Sequence, residues 1–215
     1  MDLAFPIYSK SLFLEGKNRM LNIVLHEPEI PFNTGAIGRT CVATDTNLHL
    51  IRPYGFEISD KYVKRAGMDY WDKLKLFEYM DYEDFLAKHP EIHFADEFCK
   101  EGNPEGETDG EAEKNAGSRD MAEISKLWFA TTKAQNVYSD VQLGPNDFIM
   151  FGKESAGIPE EILVKHPKSC IRIPMWGDIR SLNLSNSAAV LIYEAYRQNG
   201  FGKLTKYGEL HRLHW

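Results

Sequence analysis

The sequence predicts an α/β fold in which a mostly parallel sheet carries helices on both faces. Short apolar runs alternate with helical stretches along the chain, and this order is typical of parallel sheets that are covered on both sides. The chain has 215 residues, 43% of them hydrophobic, which is enough for one sizeable core. A single domain is therefore expected.

Three strands are predicted in the N-terminal half, the first two as apolar runs that stop before prolines and the third as an alternating run. They are 21–25, 48–51 and 74–79. The helix between the first two strands is expected to have Asn33 or Thr34 as its N-cap and to continue to about Asp45. Two further helical stretches are predicted at 59–68 and 84–88.

Three more strands are predicted in the C-terminal half, and they are 126–130, 147–151 and 170–173. A helix with Pro159 in its first turn is expected to run to Lys165, because proline is tolerated at that position. The last helix is predicted from Asn183 to Gln198. Its buried stripe follows the i, i+3, i+4, i+7 spacing and consists of Ala188, Leu191, Ile192 and Ala195.

The net charge of −7 is concentrated in one segment of the sequence. Residues 96–123 hold ten acidic and three basic residues, so the remainder of the chain is neutral. We interpret 96–122 as a mobile acidic insertion, because so polar a segment buries too little apolar surface to offset the entropy of ordering. An acidic chain argues against nucleic-acid binding, but a neutral body can still carry a local basic patch.

Cysteine and histidine usage argues against a disulfide framework and against a metal site. Cys41, Cys99 and Cys170 are scattered, and the seven histidines show no metal-ligand spacing. No apolar run is long enough to span a membrane, and the first twenty residues do not resemble a signal peptide. We expect a cytoplasmic protein with no metal and no membrane contact.

Three stretches follow predicted strands, where ligands of parallel α/β sheets bind. They are 130–133, 152–157 and 173–181. Gly152 and Gly157 have the glycine spacing of a phosphate loop, but Ile158 stands where that loop requires lysine. The remaining interpretations are a glycine turn that lets backbone approach a ligand, with Glu154 nearby, and an ordinary strand-to-helix turn.

Small polar residues crowd the start of the last helix, and they are Ser181, Asn183, Ser185, Asn186 and Ser187. One of them would suffice as a cap, so the excess indicates a polar ligand at the free backbone N–H groups. Gly35 and Gly38 similarly indicate a close approach of backbone or ligand to the first helix. Tyr193, Tyr196 and Trp176 are candidates for stacking on a base, although core packing is the commoner fate of helix tyrosines.

Three segments of the sequence resemble the three motifs of the SPOUT-superfamily RNA methyltransferases. They are LNIVLHEPEIPFNTGAIGRTC, FGKESAGIP and IRIPMWGDIRSLNLSNS. The strongest resemblance is to the tRNA 2′-O-methyltransferases that modify the wobble cytidine or uridine of certain leucine tRNAs. It implies a methyltransferase domain over 21–202 whose C-terminal part forms a deep trefoil knot, S-adenosylmethionine bound in the knot loops, and a homodimer that holds tRNA across its interface.

The resemblance also assigns roles to individual residues. It implies that the cofactor pocket is lined by Ala130, Gly152, Ile173 and Ser181. It implies catalytic roles for Arg39, Arg180 and Tyr193, and RNA binding by Asn33, Arg39, Arg180, Asn183 and Tyr193. A guanidinium is always protonated, so we expect Arg39 to orient a hydroxyl or phosphate group, and the general base stays open.

Two segments depart from the short family pattern, namely the N-terminal extension 1–20 and the insertion 96–122, and a tail follows at 203–215. Two alternatives therefore stay open. One is a SPOUT 2′-O-methyltransferase that acts at another tRNA position or on rRNA. The other is a non-catalytic RNA-binding module with the same fold, and the presence of all three cofactor-loop motifs argues against it.

Overall fold

The structure is a computed structural model that describes residues 20–56, 71–97 and 124–213. Its strands are β1 (Asn22–His26), β2 (Asn47–Ile51), β3 (Leu76–Tyr79), β4 (Ile92–His93), β5 (Ser125–Ala130), β6 (Asn136–Val137), β7 (Phe148–Phe151) and β8 (Cys170–Arg172). The α-helices of the described chain are α1 (Pro31–Thr44), α2 (Tyr82–Lys88), α3 (Glu160–Leu163) and α4 (Leu184–Gln198). The predicted helix at 59–68 and most of the predicted extension and insertion lie outside the described residues.

The strands form one sheet in the order β3-β2-β1-β7-β5-β8-β6, and β4 pairs with the first residues of β5. All pairings between these strands are parallel, which confirms the predicted fold class. The six predicted strands are present, with ends shifted by one or two residues. β4 and β6 were not predicted, because two-residue strands are too short to show a hydrophobic period.

A hydrophobic core lies on each face of the sheet. Alternate strand residues point to opposite faces, so Ile23 and Leu25 of β1 join one core while Val24 between them joins the other. The first core is covered by α1 and α4, for example through Ile37 and Leu191. The second core is covered by α2 and α3. The prediction of helices on both faces is thereby confirmed.

The predicted N-cap of α1 is wrong. The helix begins at Pro31 with Ile30 as its N-cap, and no side chain of the N-cap residue accepts a hydrogen bond there. Proline favours the first helical position because its φ is already helical and its missing N–H is not needed. The glycine interpretation also changes for Gly38, because an added Cβ would lie 3.2 Å from Leu74 Cδ2, so this glycine makes room for a side chain of the fold.

The prediction for α4 is confirmed in its start, its end and its buried face. Asn183 is the N-cap, and its side chain accepts hydrogen bonds from the backbone N–H groups of Ser185 and Asn186. The four residues of the predicted stripe are the buried residues of this helix. Within the described ranges, no helix is both long enough and apolar enough to cross a membrane.

A buried histidine connects β2 to its two neighbouring strands. His49 is 2% exposed, and its Nδ1 lies 2.8 Å from the Tyr79 hydroxyl while its Nε2 lies 3.1 Å from Asn22 Oδ1. The Asn22 amide nitrogen donates to main-chain carbonyls, so its Oδ1 is the acceptor and His49 Nε2 is the donor. Burial, with a smaller contribution from His89, lowers the pKa of His49 from 6.5 to about 3.

This histidine is expected to make the fold sensitive to acid. Below pH 6.5 His49 takes up a proton in the unfolded chain but stays neutral in the folded protein. The free energy of unfolding therefore falls as the pH falls towards 3. Between pH 6 and pH 4, wild type should lose about 2 kcal/mol more unfolding free energy than His49→Gln. Urea unfolding at the two pH values measures the difference. His211→Gln, in the exposed tail, is the matched control, and an equal pH slope in all three proteins would contradict the assignment.

Candidate functional site

The loops after three neighbouring strands enclose a cavity of about 480 Å³. β7, β5 and β8 lie side by side, so their carboxyl ends open onto the same edge of the sheet. The cavity walls come from 130–133 after β5, from 151–158 after β7 and from the segment between β8 and α4. The first turn of α1 adds Ile30 and Asn33. These loops are the three that the strand-end rule predicted.

Most of the predicted site residues line this cavity. They are Asn33, Ala130, Gly152, Ile173, Arg180, Ser181 and Asn183. Arg39 and Tyr193 are not among the lining residues, and both side chains are exposed. The structure thus brings the predicted cofactor residues together and leaves two predicted catalytic residues on the outer surface.

Gly152 is required by the path of its own loop. A Cβ at this position would lie 2.0 Å from the carbonyl carbon of Gly157 and 2.1 Å from the backbone nitrogen of Ile158. The loop reverses tightly, since the Gly157 N–H donates to Lys153 O at 2.8 Å and Gly157 has a φ of +76°. No side chain fits where the backbone crosses itself, so the predicted close approach is between two parts of the same loop.

Two carboxylates exchange hydrogen bonds between this loop and the entry to α1. Glu154 accepts from the backbone N–H of Glu29 at 2.9 Å and of Ile30 at 3.3 Å. Glu29 in turn accepts from the backbone N–H of Ser155 at 2.9 Å and from its hydroxyl at 2.8 Å. These two bonds from Ser155 lower the pKa of the Glu29 carboxyl. Glu154 therefore holds the two residues that lead into α1.

A second set of bonds joins α1 to the start of α4. The buried Asn33 side chain donates to Glu154 Oε1 at 2.9 Å and accepts from the Asn183 amide nitrogen at 3.0 Å. Arg180 donates to the backbone oxygen of Ser155 at 2.8 Å. We call Asn33, Glu154 and Asn183 the polar frame, because these three side chains connect α1, the glycine loop and the start of α4 beside the cavity.

Charges around the cavity are largely paired within the protein. Lys153 forms an ion pair with Glu27, which raises the pKa of Lys153. Lys133, on the cavity wall, forms one with Glu160 and lowers the pKa of that carboxyl. Among the described residues, no cluster of three or more histidine, cysteine or acidic side chains could hold a metal ion.

Helix geometry explains why Arg39 and Tyr193 face outwards. Arg39 follows Asn33 by six residues, which is a rotation of about 600° and leaves the two side chains about 120° apart around α1. Tyr193 follows Leu191, a cavity residue, by two residues and therefore lies on nearly the opposite face of α4. Each helix shows one face to its own cavity and another to the outside.

Sequence reasoning missed one residue of this arrangement and undervalued another. The sequence does not single out Glu29, and it places Glu154 only near the glycine turn. Glu29 accepts its hydrogen bonds from Ser155 and not from α1, so the missing cap of α1 does not point to it. Nothing local indicates that its partner, Ser155, lies 126 positions further along the chain.

Known proteins resemble this chain over most of its length. The model of the SpoU rRNA Methylase family matches residues 20–98 and 116–193. A relative from Listeria innocua is 46% identical over 186 residues, which are 85% of this chain and 90% of that protein. The tRNA (cytidine(34)-2′-O)-methyltransferase of Photorhabdus asymbiotica is 42% identical over 189 residues, which are 87% of this chain and 99% of that protein.

Solved structures agree with these relatives. A structure titled for the 2-OH methylation of C/U34 on tRNA is 33% identical and has a TM-score of 0.65, with 85% of this chain and 97% of that chain covered. The SpoU methyltransferase AviRb of Streptomyces viridochromogenes, in complex with AdoMet, shares the fold at 18% identity and a TM-score of 0.61, over 87% of this chain and 61% of its own. The chain belongs to the SpoU methylase family and, within it, to the tRNA (cytidine(34)-2′-O)-methyltransferases.

Proposed function

We propose that this protein transfers a methyl group from S-adenosylmethionine to the ribose 2′-hydroxyl of the wobble nucleotide, position 34, of tRNA. The observation that carries the proposal is the polar frame, which joins the three family motifs around one cavity. We further propose, from the family resemblance, that leucine tRNAs are the substrates and that the enzyme works in the cytoplasm. Cys41 and Cys170 are buried free thiols, as a reducing compartment favours.

The cavity suits S-adenosylmethionine, which supplies an electrophilic methyl group on a sulfonium. Its volume of about 480 Å³ falls within the range of roughly 300–1,000 Å³ that is usual for cofactor sites. Ala130, Gly152 and Ile173 offer backbone groups and small or apolar side chains, which suit a flat base. Arg180 places positive charge on the wall, where a carboxylate of the cofactor would be favoured.

The polar frame is proposed to align the reacting groups. Glu154 accepts hydrogen bonds from two backbone N–H groups and from Asn33, so its carboxylate is held by fixed donors. Asn183 is held by its capping bonds and by its bond to Asn33. Methyl transfer needs an in-line approach of two groups, and holding such groups in place contributes a large part of catalysis.

We also propose that the active unit is a homodimer in which Arg39 serves the partner's cavity. Arg39 cannot turn into its own cavity without leaving its face of α1. Phe32 is seven residues away on the same face and is 69% exposed. On α4, Tyr193 is 48% exposed and Val190 lies beside it on the outer face. Exposed apolar side chains on neighbouring helices are typical of a surface that a second protein covers.

The function is tested with labelled S-adenosylmethionine and tRNA from a strain that lacks its own wobble 2′-O-methyltransferase. We expect a 2′-O-methylated nucleoside at position 34 of leucine tRNAs, mapped by mass spectrometry. Label at another tRNA position or in rRNA would support the proposed reaction and contradict the proposed substrate. Absence of cofactor binding in calorimetry would support a non-catalytic RNA-binding module.

The shared site is tested with a mixed dimer of Arg39→Ala and Gly152→Ala subunits, purified through two different tags. Gly152→Ala must displace its loop, so only the Arg39→Ala subunit keeps an intact cavity. If Arg39 acts in the partner's cavity, the mixed dimer should regain about half of the wild-type activity, because one of two symmetric sites is complete. If Arg39 acts in its own subunit, the mixed dimer should be as inactive as either parent.

Glu154→Gln tests the polar frame. The glutamine amide would place an N–H group against a donor, either a backbone N–H or the Asn33 amide. One hydrogen bond then becomes a repulsive contact, and the entry to α1 shifts. We expect kcat to fall by about 10²-fold, since a misplacement of this kind costs on that order, while the melting temperature changes little. Glu161→Gln, exposed on α3, is the matched control and should keep wild-type kcat. Wild-type kcat in Glu154→Gln would refute the alignment role.

A further inference from the structure

Trp176 is the most exposed large hydrophobic residue of the described chain. Its side chain lies in the segment between β8 and α4 and is 93% exposed. An indole so placed buries almost no surface within its own subunit and adds nothing to the core. Folding therefore does not explain a tryptophan at this position.

The segment that carries Trp176 is fixed on both sides. Before it, Ile173 and Met175 line the cavity. After it, Arg180 is bonded to Ser155 O at 2.8 Å and Asn183 to Asn33 at 3.0 Å. The chain turns directly after the indole, because Gly177 has a φ of +61°. Trp176 therefore belongs to a segment that forms one wall of the cavity, while its own side chain is exposed.

The proposed reaction brings a nucleotide to this cavity. The ribose 2′-hydroxyl must reach the cavity, and the base is bonded to the same ribose, so the base must lie beside the cavity mouth. A base in a tRNA loop that leaves its neighbours loses stacking, and aromatic side chains commonly replace it. The exposed indole follows Met175, a residue of the cavity wall, so its flat face is available to a base beside the cavity.

We infer that Trp176 is the stacking platform for the base of the nucleotide being methylated, an inference that rests on the proposed function. We commit to a nucleotide rather than a second protein copy because the same segment places Arg180 and Ser181 on the cavity wall, where the ribose must enter. Stacking is tolerant of sequence, so Trp176 supports binding of cytidine and uridine alike and does not distinguish them.

The test compares two anticodon stem–loop RNAs, one with cytidine at position 34 and one with an abasic ribonucleotide there that keeps its 2′-hydroxyl. Wild type, Trp176→Phe and Trp176→Ala are measured for Kd by anisotropy of labelled RNA and for kcat/KM by methyl transfer. Tyr207→Ala, 89% exposed in the tail, is the matched control. Each stacked base is worth about 1–3 kcal/mol by alanine substitution, so roughly a tenfold to hundredfold effect is expected.

We expect Trp176→Ala to lose this factor in affinity and in kcat/KM on the cytidine RNA, and Trp176→Phe to keep most of both. On the abasic RNA, neither substitution should change Kd or kcat/KM by more than about twofold. An equal loss on both RNAs, no loss on the cytidine RNA, or a halved molar mass of Trp176→Ala in light scattering would overturn the inference. Failure of the proposed function has a different signature, since wild type would then bind the cytidine RNA without methylating it. The Kd comparison would still decide the role of Trp176.

Discussion

The carboxylate of Glu154 is the interaction on which the geometry of the site depends. The loops at the carboxyl ends of parallel strands lie at one edge of the sheet, but the hydrogen bonds of the sheet do not fix those loops relative to α1. Glu154 does so, because it accepts hydrogen bonds from the two backbone N–H groups that lead into α1 and from the Asn33 side chain. A carboxylate at a helix N-terminus is favoured by charge-assisted bonds and by the helix dipole.

One consequence is that the glycine loop and α1 are coupled through a single side chain. The glycine loop that crosses itself at Gly152 carries Glu154, and Glu154 positions α1. α1 in turn carries Asn33 inwards and Arg39 outwards. A change in the loop is therefore transmitted to the residues proposed to meet RNA, without any further element between them.

Local features of the fold were predictable, and features that depend on distant residues were not. The N-cap and the buried stripe of α4 both depend on sixteen consecutive residues, so the predicted start, end and buried face of this helix are confirmed. The predicted start of α1 is wrong because Asn33 and Thr34 resemble cap residues, whereas the helix begins at Pro31 and its entry is held by Glu154, more than 120 positions away. The role of Gly38 was not predictable, because this glycine makes room for the Leu74 side chain, which only the fold brings near. The strand-end rule located the cavity, whereas the roles of its residues came from the family resemblance, and the trefoil knot stays a prediction.

The charge pattern favours a particular way of binding RNA. Outside the acidic segment the chain is neutral, and Lys133 and Lys153 are paired with carboxylates at the site. Counterion release, which dominates most nucleic-acid binding, is therefore weakened at these two lysines. If the proposals above hold, an arginine from a partner subunit and stacking on Trp176 carry a larger share of the affinity. On that account an acidic chain binds RNA through a few directed contacts beside the cavity rather than through its net charge.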